Sequence, residues 1–256
     1  MSWRHVKERA HSIYVRQSAR LFARRLLPVE LETPIVSFTF DDFPRSALHA
    51  GGEILRHAGA VGTYYAAFGL MGRHEPTGKI FEPADLKVLL DQGHELGCHT
   101  FDHYDASTTA PAAFVASIVR NQRALANLLP GFSFRTHAYP IGAPRIGTKR
   151  RMRRFFESAR GGGQQFCAPH ADLDNLAAFF LEKCRGELEP VKSIVEGNRK
   201  ACGWLVIATH DVAQAPTPYG CTPAFFESTV RMVRESGARI LPVHQAIQTI
   251  RAESRN

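Results

Sequence analysis

Short apolar runs alternate with helical patterns along most of this chain. The apolar, β-prone runs that predict buried strands cover residues 35–40, 61–68, 94–99, 134–139, 204–209 and 239–243. The helical patterns, several of which begin at a proline or end before a glycine, cover residues 46–57, 83–91, 111–129, 149–157, 223–235 and 245–252. Such alternation is typical of parallel strands covered by helices. The pattern therefore predicts an α/β fold, and at 256 residues one barrel-like sheet is favoured over two domains.

The first 30 residues have a different character. Apolar residues lie near one helical stripe with basic residues between them, and they are Trp3, Val6, Ala10, Ile13, Tyr14 and Leu21. We therefore expect a basic, amphipathic helical extension over residues 1–30 and a single barrel domain over residues 31–256. We favour packing of this helix on the barrel or on a second copy of the chain, as in a homo-oligomer. A peripheral contact with anionic lipid and an Arg-rich transit peptide are the alternatives.

The net charge of +8 is concentrated in two segments. Residues 1–30 contain seven Arg or Lys against two Glu, and residues 144–160 contain seven against one, so the remaining residues are mildly acidic. No nucleic-acid-binding motif accompanies this charge, and nucleic acid is not an expected partner. No apolar run approaches the length of about 20 residues that spans a bilayer. The basic N-terminus lacks a signal-peptide pattern, and the five cysteines form no CxxC pair, so we predict a cytoplasmic protein with reduced thiols.

Titratable side chains follow three of the predicted strands. Asp41 and Asp42 come directly after the first strand. His99 and His103 lie at the end of the third, and His210 follows the fifth. Each feature alone is common, because paired aspartates often form turns or helix caps. In a barrel of parallel strands, however, the loops at the C-terminal ends of the strands form the active site, so these residues are expected to meet.

These residue types together suit one chemistry. Two imidazoles and one carboxylate can bind a divalent metal that keeps an open position for water. Such a metal lowers the pKa of its water and polarises a carbonyl group. A second carboxylate can take the water's proton, and a separate histidine can give a proton to a departing nitrogen. Because side chains alternate along a strand, one of two adjacent aspartates can bind the metal while the other acts as the base.

Four segments resemble motifs of the polysaccharide deacetylases, also called the NodB-homology group or carbohydrate esterase family 4. Residues 39–42 read TFDD, and residues 99–103 read HTFDH, as in the family's H[ST]xxH motif. Residues 139–142 (YPIG) resemble its third motif, RxP[FY]G, and residues 206–210 (VIATH) resemble LxIxH. The resemblance covers roughly residues 34–245, with the motifs in family order. It implies a distorted (β/α) barrel of about seven parallel strands that removes an N-acetyl or O-acetyl group from a sugar.

The resemblance also implies a role for each matching residue. The implied metal ligands are Asp42, His99 and His103. Asp41 would be the general base and His210 the general acid, while the backbone N–H of Ile141 would stabilise the oxyanion. Zinc is the metal expected for this ligand type, with cobalt, manganese or nickel as alternatives. The residues expected to contact the substrate are Tyr139, Pro140 and Arg145.

Two family features lack a direct match. The arginine of the third motif, which steadies the base in the family, aligns with Ala138. Arg160, at the end of the strand-like run 155–160, is the expected replacement, with Arg135 and Arg145 as alternatives. The fourth motif, an Asp followed by Trp, also has no clean counterpart. We expect Asp174, or Asp172, to orient His210 instead.

A cytoplasmic deacetylase would act on a precursor rather than on finished polysaccharide outside the cell. We therefore expect an acetylated sugar that is nucleotide-linked or lipid-linked, as in the assembly of a cell-envelope polysaccharide or O-antigen. The basic residues 145–154 follow the YPIG segment and could attract the phosphates of such a precursor. A metal-dependent amidohydrolase acting on a non-sugar amide is one alternative. A barrel that has lost catalysis and only binds carbohydrate is the other.

Overall fold

The computed structural model describes the backbone of residues 3–254 and the side chains of residues 9–254. Within this range the α-helices are α1 (Trp3–Leu21), α2 (Glu53–His57), α3 (Pro83–Asp91), α4 (Pro111–Leu128), α5 (Ile146–Met152), α6 (Glu189–Lys200), α7 (Pro223–Glu235) and α8 (Val243–Glu253). The strands are β1 (Leu26–Pro28), β2 (Ile35–Phe40), β3 (Thr63–Ala66), β4 (His74–Glu75), β5 (Gly78–Lys79), β6 (Glu95–Cys98), β7 (Thr136–Ala138), β8 (Ser158–Arg160), β9 (His170–Asp172), β10 (Phe179–Phe180), β11 (Trp204–Thr209) and β12 (Arg239–Ile240). Among these residues, no helix combines the length and the apolar character that crossing a bilayer requires.

The central sheet is a parallel barrel, as the sequence predicts. Seven strands follow one another in the order β10–β11–β2–β3–β6–β7–β8, and β12 pairs with the start of β2. Every pair of neighbouring strands in this sheet is parallel. The segment before β10 closes the barrel against β8, because Ala159 N–H donates to the Leu173 carbonyl and Gly161 N–H to that of Leu176, each at 2.8 Å. The distorted (β/α) barrel is therefore confirmed.

The two longest strands form the centre of this barrel, and nine of their twelve residues are apolar. β2 (IVSFTF) and β11 (WLVIAT) pair in register over their full length, and every residue of both is buried. Phe38 and Phe40 of β2 pack against Phe226 of α7, with ring centroids 5.5 and 5.6 Å apart. Strands buried on both faces fix the positions of the loops that follow them. Both strands lead directly into titratable residues.

The N-terminal helix packs on the barrel beside α5. Of its described side chains, those of Val15, Ser18 and Ala19 are buried. The Nζ atom of the buried Lys149 in α5 donates to the carbonyl of Ala19, in the last turn of the helix, at 2.7 Å. It also donates to the carbonyl of Phe22, the residue after the helix, at 2.9 Å. An ammonium group there satisfies carbonyls that have no partner within the helix.

Several local elements differ from the sequence predictions. The helix expected over residues 46–57 begins as a π-helical turn at Ala47–Gly52 before α2. The helix expected over residues 149–157 ends at Met152, because the buried Phe156 stacks on His137 and leads the chain into β8. Helix α6 was not predicted, although Val191, Ile194 and Val195 are spaced as on one face of a helix; Gly197 weakens the helical signal near its end. The pairs β1–β9 and β4–β5 are too short to have an alternating pattern.

Candidate metal centre and active site

The candidate site lies at the C-terminal ends of the barrel strands. Asp41 and Asp42 follow β2, and His99 follows β6. His210 follows β11, and Arg160 is the last residue of β8. Residues far apart in the sequence meet here because parallel strands all present their C-terminal ends at the same rim.

Asp42, His99 and His103 form a compact cluster. One ligand atom from each residue lies within 4.8 Å of the others. The Nε2 atom of His103 is 2.9 Å from Asp42 Oδ1, and that of His99 is 3.4 Å from the same oxygen. The Asp42 and His99 side chains are almost fully buried, whereas the His103 side chain is 24% exposed. The cluster is therefore enclosed on the protein side and open at His103.

Two hydrogen bonds orient the cluster. His99 Nδ1 donates to the Ala138 carbonyl at 2.9 Å, which leaves Nε2 as the atom with a free electron pair. Thr77 Oγ1 donates to Asp42 Oδ2 at 2.9 Å, while Asp42 Oδ1 makes no well-aligned hydrogen bond. Protein metal sites use such outer contacts to fix the tautomer and direction of their ligands. One carboxylate and two imidazoles held in this way fit a divalent metal.

The protonation states of the cluster are set by burial and mutual contact. Burial raises the pKa of Asp42, but its contact with His103 and the charges of both histidines outweigh burial, so the pKa lies well below its usual value. Burial lowers the pKa of His99 to about 4. Burial also lowers the pKa of His103, but the contact with Asp42 outweighs it and the pKa is raised overall. A metal would displace the proton of His103, because metal ligands must be deprotonated.

Asp41 lies beside the cluster in a buried ion pair with Arg160. The Arg160 guanidinium donates through Nη2 to Asp41 Oδ1 and through Nη1 to the Gly161 carbonyl at 2.9 Å. Its central carbon lies 5.4 Å from the ring centroid of Tyr65 and 5.2 Å from that of Phe180. Burial raises the pKa of Asp41, but the charge of Arg160 and those of the two nearby histidines hold the pKa below its usual value.

The two other arginines considered for this position point elsewhere. Arg135 is exposed and lies 3.4 Å from Glu157. Arg145 is also exposed, and its Nη1 lies 3.5 Å from the Thr108 carbonyl. Of the three candidates, the structure brings Arg160 to the carboxylate of Asp41.

His210 is oriented by a backbone carbonyl rather than by an aspartate. Its Nδ1 atom donates to the Tyr219 carbonyl at 3.1 Å. The expected partner, Asp174, instead accepts from Arg25 Nε at 2.9 Å and from Arg153 Nη2 at 2.7 Å. The expectation for Asp174 is therefore corrected, since it belongs to an ion-pair network that attaches residues 22–25 to the barrel.

Two of the expected substrate contacts are structural. Tyr139 is buried, and its hydroxyl donates to the Asp174 carbonyl at 2.9 Å. Pro140 is also buried, and its carbonyl accepts from the N–H groups of Ala106 and Gly142. These residues therefore build the turn over residues 139–142 instead of facing the solvent.

Ile141 lies at the exposed tip of this turn. Its side chain is 73% exposed, and its φ of +62° places the backbone in the left-handed region. Among the described residues, its N–H finds no hydrogen-bond acceptor. An N–H at such a tip is available to a ligand.

Left-handed backbone at non-glycine residues is concentrated around this site. The φ angles lie between 53° and 62° at Asp42, Phe43, Thr100, His103 and Ile141. Such conformations cost about 1–3 kcal/mol each and persist where the surrounding structure enforces them, commonly at functional sites. The sequence carries no signal for them, because none of these positions is a glycine. Thr77 and the Tyr219 carbonyl are likewise contacts that the sequence analysis missed.

Comparison with known proteins identifies the class of this barrel. The family model for polysaccharide deacetylase matches residues 29–155, about half of the chain, so the chain is similar to this family over that range. The metal-ligand motifs of residues 39–42 and 99–103 lie within the matched region.

Solved structures support the same fold. Peptidoglycan deacetylase PdaC from Bacillus subtilis superposes with a TM-score of 0.58 at 14% identity, over 89% of this chain and 96% of that one. A family 4 acetyl xylan esterase from Clostridium thermocellum, in complex with a cobalt ion, gives 0.59 at 15% identity, over 85% and 92%. A gellan lyase from Bacillus sp is 36% identical over 69 residues, which cover 27% of this chain and only 3% of that protein.

Proposed function

We propose that this protein is a metal-dependent hydrolase that removes an acetyl group from an N-acetylated sugar. The observation that carries the proposal is the cluster of Asp42, His99 and His103 directly beside the buried Asp41–Arg160 pair. A divalent metal bound by the cluster would polarise the acetyl carbonyl and lower the pKa of a water molecule. Zinc fits this nitrogen-rich ligand set, and cobalt, manganese and nickel are the alternatives.

Asp41 has the properties of the general base. Its pKa lies below the usual value, so the carboxylate is ionised at neutral pH. Arg160 holds one carboxylate oxygen, which leaves the other to take a proton from the attacking water. Because the guanidinium is itself fixed by Tyr65, Phe180 and the Gly161 carbonyl, the carboxylate has one orientation.

His210 and Ile141 complete the reaction. The Tyr219 carbonyl accepts the Nδ1–H of His210, so a protonated His210 would give the proton on Nε2 to the departing amine and keep the one on Nδ1. The exposed N–H of Ile141 can donate a hydrogen bond to the oxygen that becomes negatively charged when water attacks the carbonyl carbon. An O-acetyl ester would need the proton from His210 less, because an alkoxide departs more readily than an amine anion.

We propose a phosphate-linked sugar, as in a precursor of a cell-envelope polysaccharide, as the substrate. Arg145 is exposed and lies three residues after the turn of residues 139–142. Its backbone N–H donates to the Ala106 carbonyl, so the arginine is anchored at the rim beside Ile141. A guanidinium at this position suits a phosphate oxygen.

Acetate release from a panel of acetylated compounds tests the proposal. The panel contains nucleotide-linked N-acetyl sugars, free N-acetyl sugars, sugar O-acetyl esters, and linear and cyclic amides without a sugar. Asp41→Asn should retain the metal and lose activity by about 10²–10⁴-fold, whereas Asp91→Asn, at an exposed position of α3, should behave as the wild type. Turnover of the non-sugar amides alone, or full activity of Asp41→Asn, would contradict the proposal.

A further inference from the structure

The two basic segments of the sequence meet on one side of the molecule. Helix α1 packs beside α5, where Lys149 binds the carbonyls of Ala19 and Phe22. Arg153 Nη2 also lies 3.4 Å from the Ala23 carbonyl. Segments more than 100 residues apart in the chain therefore form a single surface, which we call the α1–α5 face.

The outer side of α1 is unusually apolar for an exposed helix surface. The large apolar side chains exposed there are Ile13 (49%), Tyr14 (67%) and Leu21 (61%) of the helix, together with Phe22 (55%), which directly follows it. Over residues 9–21 the buried positions of the helix are Val15, Ser18 and Ala19, so these exposed side chains are not its packing face. Grouped apolar side chains at a protein surface mark an interaction site more often than isolated ones do.

Cationic side chains flank this apolar strip. Residues 9–29 contain no acidic residue. The exposed arginines on and after α1 are Arg9, Arg16, Arg20 and Arg24, and those on and after α5 are Arg150, Arg151, Arg153 and Arg154. Two of them have carboxylate partners, since Arg24 lies 4.0 Å from Asp172 and Arg153 lies 2.7 Å from Asp174. Arg151 Nη1 donates to the Gly147 carbonyl at 2.6 Å, and none of the others has an ion pair with a carboxylate among residues 9–254.

We propose that the α1–α5 face docks on an anionic lipid bilayer. Apolar side chains that enter the boundary between headgroups and acyl chains, flanked by arginines that bind phosphate oxygens, are the arrangement that holds a helix in the plane of a membrane. A nucleic acid would use the arginines but leave Ile13 and Leu21 in water, so the apolar strip favours the bilayer.

The face adjoins the rim of the site. His11 Nε2 of α1 lies 3.4 Å from the Ser107 carbonyl. Ser107 in turn packs closely against Gly142. A Cβ atom added to Gly142 would lie 2.8 Å from the hydroxyl oxygen of Ser107. Gly142 belongs to the turn that presents Ile141. A docked bilayer would thus lie next to the catalytic rim, and, if the proposed deacetylase function holds, it would present a lipid-linked acetylated sugar.

Vesicle sedimentation tests the docking without any reference to activity. The full chain should bind vesicles of equal parts phosphatidylcholine and phosphatidylglycerol, and should bind pure phosphatidylcholine vesicles far more weakly. Each arginine near a membrane surface contributes about fivefold to binding, so Arg16→Gln/Arg20→Gln should weaken it by about 30-fold. Ile13→Ser/Leu21→Ser should weaken it by at least about tenfold, through lost apolar burial. The matched control, Arg231→Gln/Arg234→Gln, removes two exposed arginines from α7 and should bind as the wild type.

Each other outcome overturns the docking. Equal binding to both kinds of vesicle, or to neither, would contradict it. An equal loss in the α7 control would show that only net charge matters. Tighter binding of single-stranded RNA than of vesicles, with no effect of Ile13→Ser/Leu21→Ser, would assign the face to nucleic acid. Asp41→Asn should bind vesicles normally, so that failure of the catalytic proposal and failure of the docking are told apart.

Discussion

Replacement of Arg160 by methionine perturbs the ion pair on which the catalytic base depends. Both side chains are almost completely buried, with 1% of Arg160 and 6% of Asp41 exposed. Methionine keeps much of the aliphatic length and packs against Tyr65 and Phe180, but it leaves the Asp41 carboxylate buried without its cation. The expected effect is therefore mainly electrostatic.

The magnitude follows from the cost of leaving one buried charge unpaired. Removal of one partner of a buried ion pair destabilises proteins by about 3–5 kcal/mol. A domain is stable by about 5–15 kcal/mol in total, so Arg160→Met should remove a large part of the free energy of unfolding. In the double variant Arg160→Met/Asp41→Asn, the second substitution removes the carboxylate charge that has lost its cation. The double variant should therefore be more stable than Arg160→Met alone, with a coupling of about 1–3 kcal/mol.

Urea unfolding at neutral pH in the presence of a chelator measures these free energies without a contribution from metal. Arg135→Met is the matched control, because Arg135 is 60% exposed and its contact with Glu157 should contribute at most about 1 kcal/mol. A loss below about 1 kcal/mol in Arg160→Met, or no recovery in the double variant, would refute the assignment of Arg160 as the partner of the base.

Three further variants test separate contacts. Thr77→Val keeps the shape of the side chain but removes its hydrogen bond to Asp42. Competition with a chelator should show a metal affinity lower by about 10–100-fold, and an unchanged affinity would show that the contact does not affect metal binding. Burial lowers the pKa of His94 from 6.5 to about 4, so the folded protein favours the neutral imidazole. The stability that follows from this preference is fully present above pH 6.5 and is lost as the pH falls toward 4. In His94→Asn the decline of the unfolding free energy over this range should be shallower by up to about 1.4 kcal/mol per pH unit, and parallel curves would contradict this. Lys149→Met should accelerate amide hydrogen exchange in α1, whereas the exposed Arg150→Met should not; equal protection in both would mean that the ammonium does not hold the helix.

The strand-rich part of the fold was predictable because its strands are continuous apolar runs. β2 and β11 were predicted with the bounds that the structure gives them, and so were α3 and α7, each of which starts at a proline. The site residues that directly follow these strands could be located from the same pattern, since a parallel barrel leaves only one end for them. Arg160 could be anticipated because it ends a strand-like run.

Contacts made by backbone atoms and by short loops could not be predicted. The partner of His210 is the carbonyl of Tyr219, which any residue at that position could supply. Thr77 reaches Asp42 from the β4–β5 hairpin, whose strands have two residues each. Tyr139 was misassigned to the substrate, because the sequence does not show that its strand directs the side chain into the core.

Metal stoichiometry of the purified chain tests the central claim most directly. Equilibrium dialysis against zinc, followed by elemental analysis, should give one tightly bound ion per chain if Asp42, His99 and His103 share a single metal. Asp42→Ala and His103→Ala should each lose the ion while remaining folded, and His57→Ala, at an exposed position of α2, should keep it. The account would be contradicted if both ligand variants kept the ion. It would also be contradicted if the wild-type protein bound none of zinc, cobalt, manganese and nickel tightly.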